Sequence, residues 1–173
     1  LESLCDAVVA CWSSLWTARA IGYRARNQVD QRSVALAVVV QVMVAAKAAG
    51  VLFTASPLNG RRSETAIDAT LGLGEALVSG QVEPDHYVVD GHTHTILRKT
   101  LGAKETVIMG REGGGTTTLR QVNGSRQAIP DEVILELAAL GAKVEALYGF
   151  PQDIEWAWDG AKLYLLQARP ITS

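Results

Sequence analysis

The reading of the fold turns on the end of the chain, Gly149-Phe150-Pro151-Gln152-Asp153-Ile154-Glu155-Trp156-Ala157-Trp158-Asp159-Gly160, followed by Leu163-Tyr164-Leu165-Leu166-Gln167-Ala168-Arg169-Pro170-Ile171. Two runs rich in aromatic and aliphatic residues flank Asp159 and Gly160, which predicts a β-hairpin with arms over Asp153–Trp158 and Lys162–Ala168. Polar residues interrupt each arm: Asp153 and Glu155 on the first, Gln167 and Arg169 on the second. Because strand side chains alternate, the loop length decides whether these four meet. A two-residue loop of Asp159 and Gly160 would pair Trp158 with Ala161 and send Gln167 to the face opposite both carboxylates. A three-residue loop over Trp158, Asp159 and Gly160, with Gly160 left-handed, pairs Ala157 with Ala161 and puts all four polar residues on one face. The three-residue loop is the expectation here.

On that face, two carboxylates and an amide oxygen are hard ligands of the kind Mg²⁺ takes, one or two carboxylates being completed by phosphate oxygens. Arg169 adds a rigid fork for a phosphate. Solvated charges on a surface hairpin are the plain alternative. A glycosidase pair fits less well, since Asp153 and Glu155 are neighbours on one strand and cannot flank a scissile bond.

Upstream, Pro130-Asp131-Glu132 opens a helix with Val133, Leu137, Leu140, Val144 and Leu147 on one side and Gly149 at its end. The middle of the chain offers short strands at Tyr87–Val89, Thr95–Leu97, Thr106–Met109 and Thr116–Val122, separated by glycine-bearing turns. Before them come strands at Val51–Ala55 and Thr65–Ala69 and a short helix from Gly74 or Glu75 to Gly80. Val34–Val44, β-branched and interrupted only by Gln41, predicts a strand buried on both faces. Apolar residues from Leu4 to Ile21 recur at helical steps, predicting one amphipathic helix that ends near Asn27. It carries Cys5 and Cys11, about 9 Å apart along such a helix and so beyond disulfide reach, which predicts two buried thiols. These elements make an α+β fold with a mixed or antiparallel sheet.

Composition narrows the partners. The chain has 173 residues, 48% hydrophobic and 20% charged, enough for one ordinary domain or two small subdomains with a sizeable core. Sixteen Lys and Arg against eighteen Asp and Glu give a net charge of −2, without the positive field that nucleic acid or an anionic membrane would ask for. Residue 1 is Leu, and the chain reads as a piece of a longer one. Gly113-Gly114-Gly115 lacks the Lys and Ser or Thr of a phosphate loop and reads as a hairpin tip. His92 and His94 lack an evident third metal ligand. Arg61 and Arg62 read as a solvated turn or a phosphate contact, and Trp12 with Trp16 as core or a contact between subdomains.

The closing run strongly resembles the end of the ATP-binding domain of the pyruvate phosphate dikinase and phosphoenolpyruvate synthase family. Val38–Val44, Ala49–Thr54, Ser56–Arg62 and Gly72–Gly80 with Pro84 and Asp85 resemble the same domain in the same order, most closely in the rifampicin phosphotransferase branch. One departure is Leu71, where the family commonly has an aromatic residue. The resemblance implies an ATP-grasp fold in which residues 1–173 are the C-terminal subdomain, with a largely antiparallel sheet and flanking helices. It implies that Glu155 and Gln167 bind Mg²⁺ and phosphates, Asp153 supports them, Arg169 contacts the terminal phosphates and Gln41 lines the nucleotide site. It further implies a cytoplasmic phosphotransferase that uses ATP to phosphorylate a histidine on a swivelling domain, with pyruvate or a rifamycin hydroxyl as onward acceptor. Its partners would be ATP, that domain and an N-terminal subdomain, whose docking would cover apolar surface around Trp12, Trp16 and Leu71 or, without it, leave that surface to self-association. The rival is a non-catalytic nucleotide sensor or scaffold, which has no reason to hold Glu, Gln and Arg on one cleft face.

Overall fold

The structure, a computed structural model, describes residues 2–55, 63–111, 113–120 and 126–171. It divides into two compact units after Met43. In the first, α1 (Glu2–Ser13) is followed by a 3₁₀ turn (Ser14–Trp16) and α2 (Ala18–Arg26). The single helix expected from Leu4 to Asn27 is therefore broken. Thr17, in extended conformation, caps α2 by accepting a hydrogen bond from the Ala20 amide through its hydroxyl. A capping hydroxyl competes with the continuing helix, a signal that apolar spacing alone does not carry. Arg24 donates to the Leu15 carbonyl (2.6 Å) and to Gln31 (2.7 Å) and lies over the Trp16 ring, tying the 3₁₀ turn to the segment after α2. Cys5 and Cys11 share α1 but are exposed, correcting the buried reading.

The strand expected at Val34–Val44 does not form: residues 34–45 join no ladder, and Val39 and Val42 are 81% and 91% exposed. β-branched residues favour strands by packing on a neighbouring pleated surface, so a run with no adjacent strand is extended chain only. Trp12 and Trp16 are exposed, against the core alternative of their reading, whereas Leu71 packs against the core of the second unit.

That unit is built on a six-stranded antiparallel sheet in the order β4-β3-β2-β1-β7-β8. Its strands are β1 (Ala48–Phe53), β2 (Glu64–Leu71), β3 (Asp85–Asp90), β4 (Ile96–Thr100), β7 (Gln152–Trp158) and β8 (Leu163–Pro170), and β5 (Thr106–Gly110) with β6 (Thr116–Arg120) forms a separate hairpin. Two helices complete it, the single-turn α3 (Glu75–Val78) and α4 (Asp131–Tyr148), closed by Gly149 at φ +81°. The fold is α+β, as the element pattern predicts. Arg61 and Arg62 lie outside the described residues. Gly113–Gly115, all at positive φ, form the β5–β6 tip, and His92 sits in an exposed turn whose amide and that of Thr93 donate to Asp90.

The two sheet faces differ because the pleat sorts the sequence. Ala48, Leu52, Ile67, Ala69, Tyr87, Val89, Ile154 and Trp156 point one way and are buried beneath Ile134, Leu137 and Ala138 of α4. Gly141 lets α4 settle on the sheet, for a Cβ there would stand 2.7 Å from Leu52 Cδ2. The opposite face carries Asp153, Glu155, Val51, Phe53, Asp68 and His86.

Asp85 pins the edges of this layer. Its buried carboxylate accepts from the Gly102 amide (2.9 Å), the Ala128 amide (2.7 Å), the Tyr87 hydroxyl (2.8 Å) and the buried Lys104 ammonium. Burial and the neighbouring Asp85 charge push the Tyr87 hydroxyl above its ordinary range, so it stays a donor. Removing one partner of a buried charge pair strands the other without solvation. Asp85→Ala is therefore expected to destabilise the chain by about 3–5 kcal/mol, read as a lowered urea midpoint; a loss under about 1 kcal/mol would mean that the network is replaceable.

Candidate nucleotide-binding face

The closing hairpin brings the predicted polar set together by a route the sequence reading did not foresee. Trp158 pairs with Leu163, not Ala157 with Ala161, so the connection runs over residues 159–162 instead of the expected three. Asp159 builds it: its Oδ1 accepts from the amides of Ala161 (2.8 Å) and Lys162 (2.7 Å), and its Oδ2 accepts from the Tyr164 hydroxyl (2.9 Å). Gly160 supplies the expected positive φ, here +101°. Carried on unchanged, this register would set Glu155 opposite Leu166 and turn Gln167 and Arg169 into the core face. A β-bulge at Leu166 prevents that, and beyond it Glu155 pairs with Gln167 and Asp153 with Arg169.

Asp153 is nearly buried, its side chain 12% exposed, while the Arg169 side chain is 60% exposed. Arg169 Nε donates to Asp153 Oδ2 at 2.8 Å. That bond first, and the charges of Asp153 and Glu155 after it, push the guanidinium further into its charged form. The second oxygen, Asp153 Oδ1, is buried with no hydrogen-bond partner. Glu155 is half-buried between β1 and β8, and Gln167 is exposed on the edge strand. The face thus carries two carboxylates and an amide, hard donors of the kind a divalent cation takes.

Gln41 lies in the exposed run of the first unit. The sequence reading missed Asp68 and His86, whose side chains meet at 2.6 Å (Oδ1 to Nδ1) on the same face. The available signal was alternation: Asp68, a charged residue between Ile67 and Ala69, lies in phase with Val51 and Glu155. Among the described residues, no group of three or more His, Cys, Asp or Glu forms a ready metal cage, and no helix is long and apolar enough to cross a membrane.

A family model described as pyruvate phosphate dikinase, AMP/ATP-binding domain, matches residues 1–173. The chain belongs to this family. It is 46% identical over 182 residues to a phosphoenolpyruvate synthase of Pyrococcus furiosus, covering 99% of the chain and 22% of that protein. It is 44% identical over 177 residues to a rifampicin phosphotransferase of Bacillus subtilis, covering 100% of the chain and 20% of that protein, and 43% identical over 174 residues to a rifampicin phosphotransferase from a Streptomyces species. The chain thus spans about a fifth of the length of these relatives. Relatives of both names fall within a few per cent of one another in identity.

For this AMP/ATP-binding domain, the Asp159 turn sets the hairpin, and it titrates. The amides of Lys162 and Ala161, then the Tyr164 hydroxyl, hold the Asp159 carboxyl below its ordinary value of 3.8. A depressed folded-state pKa means that the turn's contribution is complete above 3.8 and is lost as pH falls through the lower folded value. An NMR titration of the Asp159 carboxyl should give a midpoint below 3.8; a midpoint at or above it would contradict this account of the turn.

Proposed function

We propose that this chain is the C-terminal subdomain of an ATP-grasp nucleotide-binding domain, and that its open sheet face binds the phosphates of Mg²⁺-ATP in a dikinase-type phosphotransferase. The observation that carries the reading is the meeting of Asp153, Glu155, Gln167 and Arg169 on one open face, with Asp153 Oδ1 buried and unpartnered. The donor set fits the cation: Glu155 and Gln167 would hold it, with Asp153 behind them. Mg²⁺, when bound there, offsets the negative charge that gathers between donor and acceptor in phosphoryl transfer. The chain's own residues do the positioning. Arg169, fixed at Nε by Asp153, keeps its terminal nitrogens for a phosphate oxygen. Glu155 sits in the middle of a ladder between β1 and β8, where its backbone cannot drift.

In the whole protein, the phosphoryl group passes from ATP to a histidine on a swivelling domain and then to pyruvate or a rifamycin hydroxyl. Family membership and the names of the relatives support this sequence of steps, and a cytoplasmic setting suits an enzyme that consumes ATP. Gln41 would contribute to nucleotide binding. A non-catalytic sensor or scaffold is the weaker reading, because such a module has no use for a desolvated, unpaired carboxylate oxygen beside an arginine.

In the whole enzyme, Glu155→Ala or Gln167→Ala should abolish ATP-dependent histidine phosphorylation, since a lost metal ligand costs several kcal/mol of barrier. Stability should change by no more than about 1 kcal/mol, because neither side chain is buried in the core. Single-turnover phosphorylation beside a denaturant midpoint tests both; near-normal phosphorylation in either variant, or activity lost only through unfolding, would refute the assignment.

A further inference from the structure

The open face is not open everywhere, because its rows of paired residues differ in burial. Ala157, Ala49 and Thr70 form one row and are buried, the two alanines packed with Ala46, Val44 and Leu73. In the row on the other side, Asp153 and Phe53 are half-buried, but Ala66 and Val88 beyond them are buried. Between these rows, Glu155, Val51, Asp68 and His86 pair in sequence across four strands, and all four are half-buried. A ligand anchored at Glu155 and lying on this face therefore has one row to follow. It crosses Val51 and meets Asp68 two strand spacings away, about 10 Å between backbones.

At that point the face presents acceptors. A carboxylate only accepts, so the 2.6 Å contact between Asp68 Oδ1 and His86 Nδ1 puts the ring proton on Nδ1. In the neutral ring Nε2 then carries a bare lone pair, and Asp68 Oδ2 has no hydrogen-bond partner among the described residues. Both side chains are partly exposed, His86 31% and Asp68 27%. Neither acceptor suits a phosphate oxygen, and the carboxylate repels an anion. Among the described residues, no third His, Cys, Asp or Glu joins them as a metal site. Two neighbouring acceptors call for a neutral group that brings neighbouring donors.

Resting on the reading that Glu155, Gln167 and Arg169 hold the phosphates, we propose that Asp68 and His86 recognise the ribose of the nucleotide. One of its vicinal hydroxyls donates to Asp68 Oδ2 and the other to His86 Nε2. The ribose is the first part of a nucleotide to follow the phosphate chain, so it reaches Asp68 across Val51 with no phosphate beside that carboxylate. Carboxylates take ribose hydroxyls in this way in other nucleotide-binding folds. Asp68 serves twice, accepting a hydroxyl at Oδ2 and fixing the imidazole through Oδ1, which keeps Nε2 an acceptor. The pair therefore determines specificity, because a site built around a hydroxyl disfavours an analogue that lacks it.

The test is NMR on the chain as it stands, following backbone amides and the His86 ring during titration with ATP, 2′-deoxy-ATP, 3′-deoxy-ATP or tripolyphosphate, each with Mg²⁺. ATP should shift the His86 ring together with Glu155, Gln167 and Arg169, and tripolyphosphate should shift the hairpin alone. Each deoxy analogue should bind about tenfold more weakly than ATP, the worth of one hydrogen bond. Asp68→Ala should erase most of that difference and leave tripolyphosphate affinity unchanged, which also shows that the variant is folded. His86→Gln, whose amide oxygen still accepts, should keep more of the difference than His86→Ala. Deoxy analogues that bind as well as ATP, or a ring unmoved while the hairpin responds, would overturn the ribose assignment and leave the proposed function standing. A ring that moves with ATP while Glu155, Gln167 and Arg169 stay still would keep the ribose contact and overturn the proposed function. No shift at either end would overturn both.

Discussion

One extra residue in β8 decides what this sheet can do. The bulge at Leu166 lets a four-residue turn, which on its own would bury Gln167 and Arg169 against the core, hand them to the open face opposite Glu155 and Asp153. The meeting of Asp153, Glu155, Gln167 and Arg169 depends on that change of register. The core gains from it as well, because Trp156 and Ile154 keep their places beneath α4 while the polar residues stay out. Bulges commonly re-aim a side chain beside a binding site, and this one re-aims two.

The rest of the unit holds that hairpin still. β7 is an inner strand, flanked by β1 and β8, and its inward residues pack under a helix that approaches closely because Gly141 has no side chain. At the far side, Asp85 gathers the amides of Gly102 and Ala128, the Tyr87 hydroxyl and Lys104 into one satisfied cluster, joining the connections on either side of the β5–β6 hairpin to β3. A buried pair of this kind adds little net stability over an apolar substitute, but it is intolerant of losing one member. It fixes which loops meet the sheet. The division of labour is plain: one face commits its apolar residues to the core, and the other carries Asp68, His86, Asp153, Glu155, Gln167 and Arg169.

Much of this was legible in the sequence, and the failures have physical causes. The strands of the second unit and α4 with its Gly149 cap follow from alternation and turn chemistry; the sharing of one face by Asp153, Glu155, Gln167 and Arg169 was expected from a three-residue loop and is reached through a four-residue connection and a bulge. The turn itself did not: Asp159 can hold two amides at once, and a bulge has no signature in Leu165-Leu166. Val34–Val44 misled because β-branched composition reports what a strand would like, not whether a neighbour exists to pair with it. The helix break at Ser13–Thr17 hid behind continuous apolar spacing. Asp68 and His86 were overlooked because they lie on different strands, and only the register shows that they meet.

The most direct test of the account replaces Mg²⁺ with paramagnetic Mn²⁺ and adds it with ATP to the isotopically labelled chain. The amides of Asp153, Glu155, Gln167 and Arg169 should broaden first, at the lowest Mn²⁺ concentration, while those of Ile134, Leu137 and Gly141, beneath the opposite face, stay sharp. Broadening centred on the α4 side or on the β5–β6 hairpin, or none at all at millimolar Mn²⁺-ATP, would show that the open face of this sheet is not where the nucleotide's phosphates and metal are held.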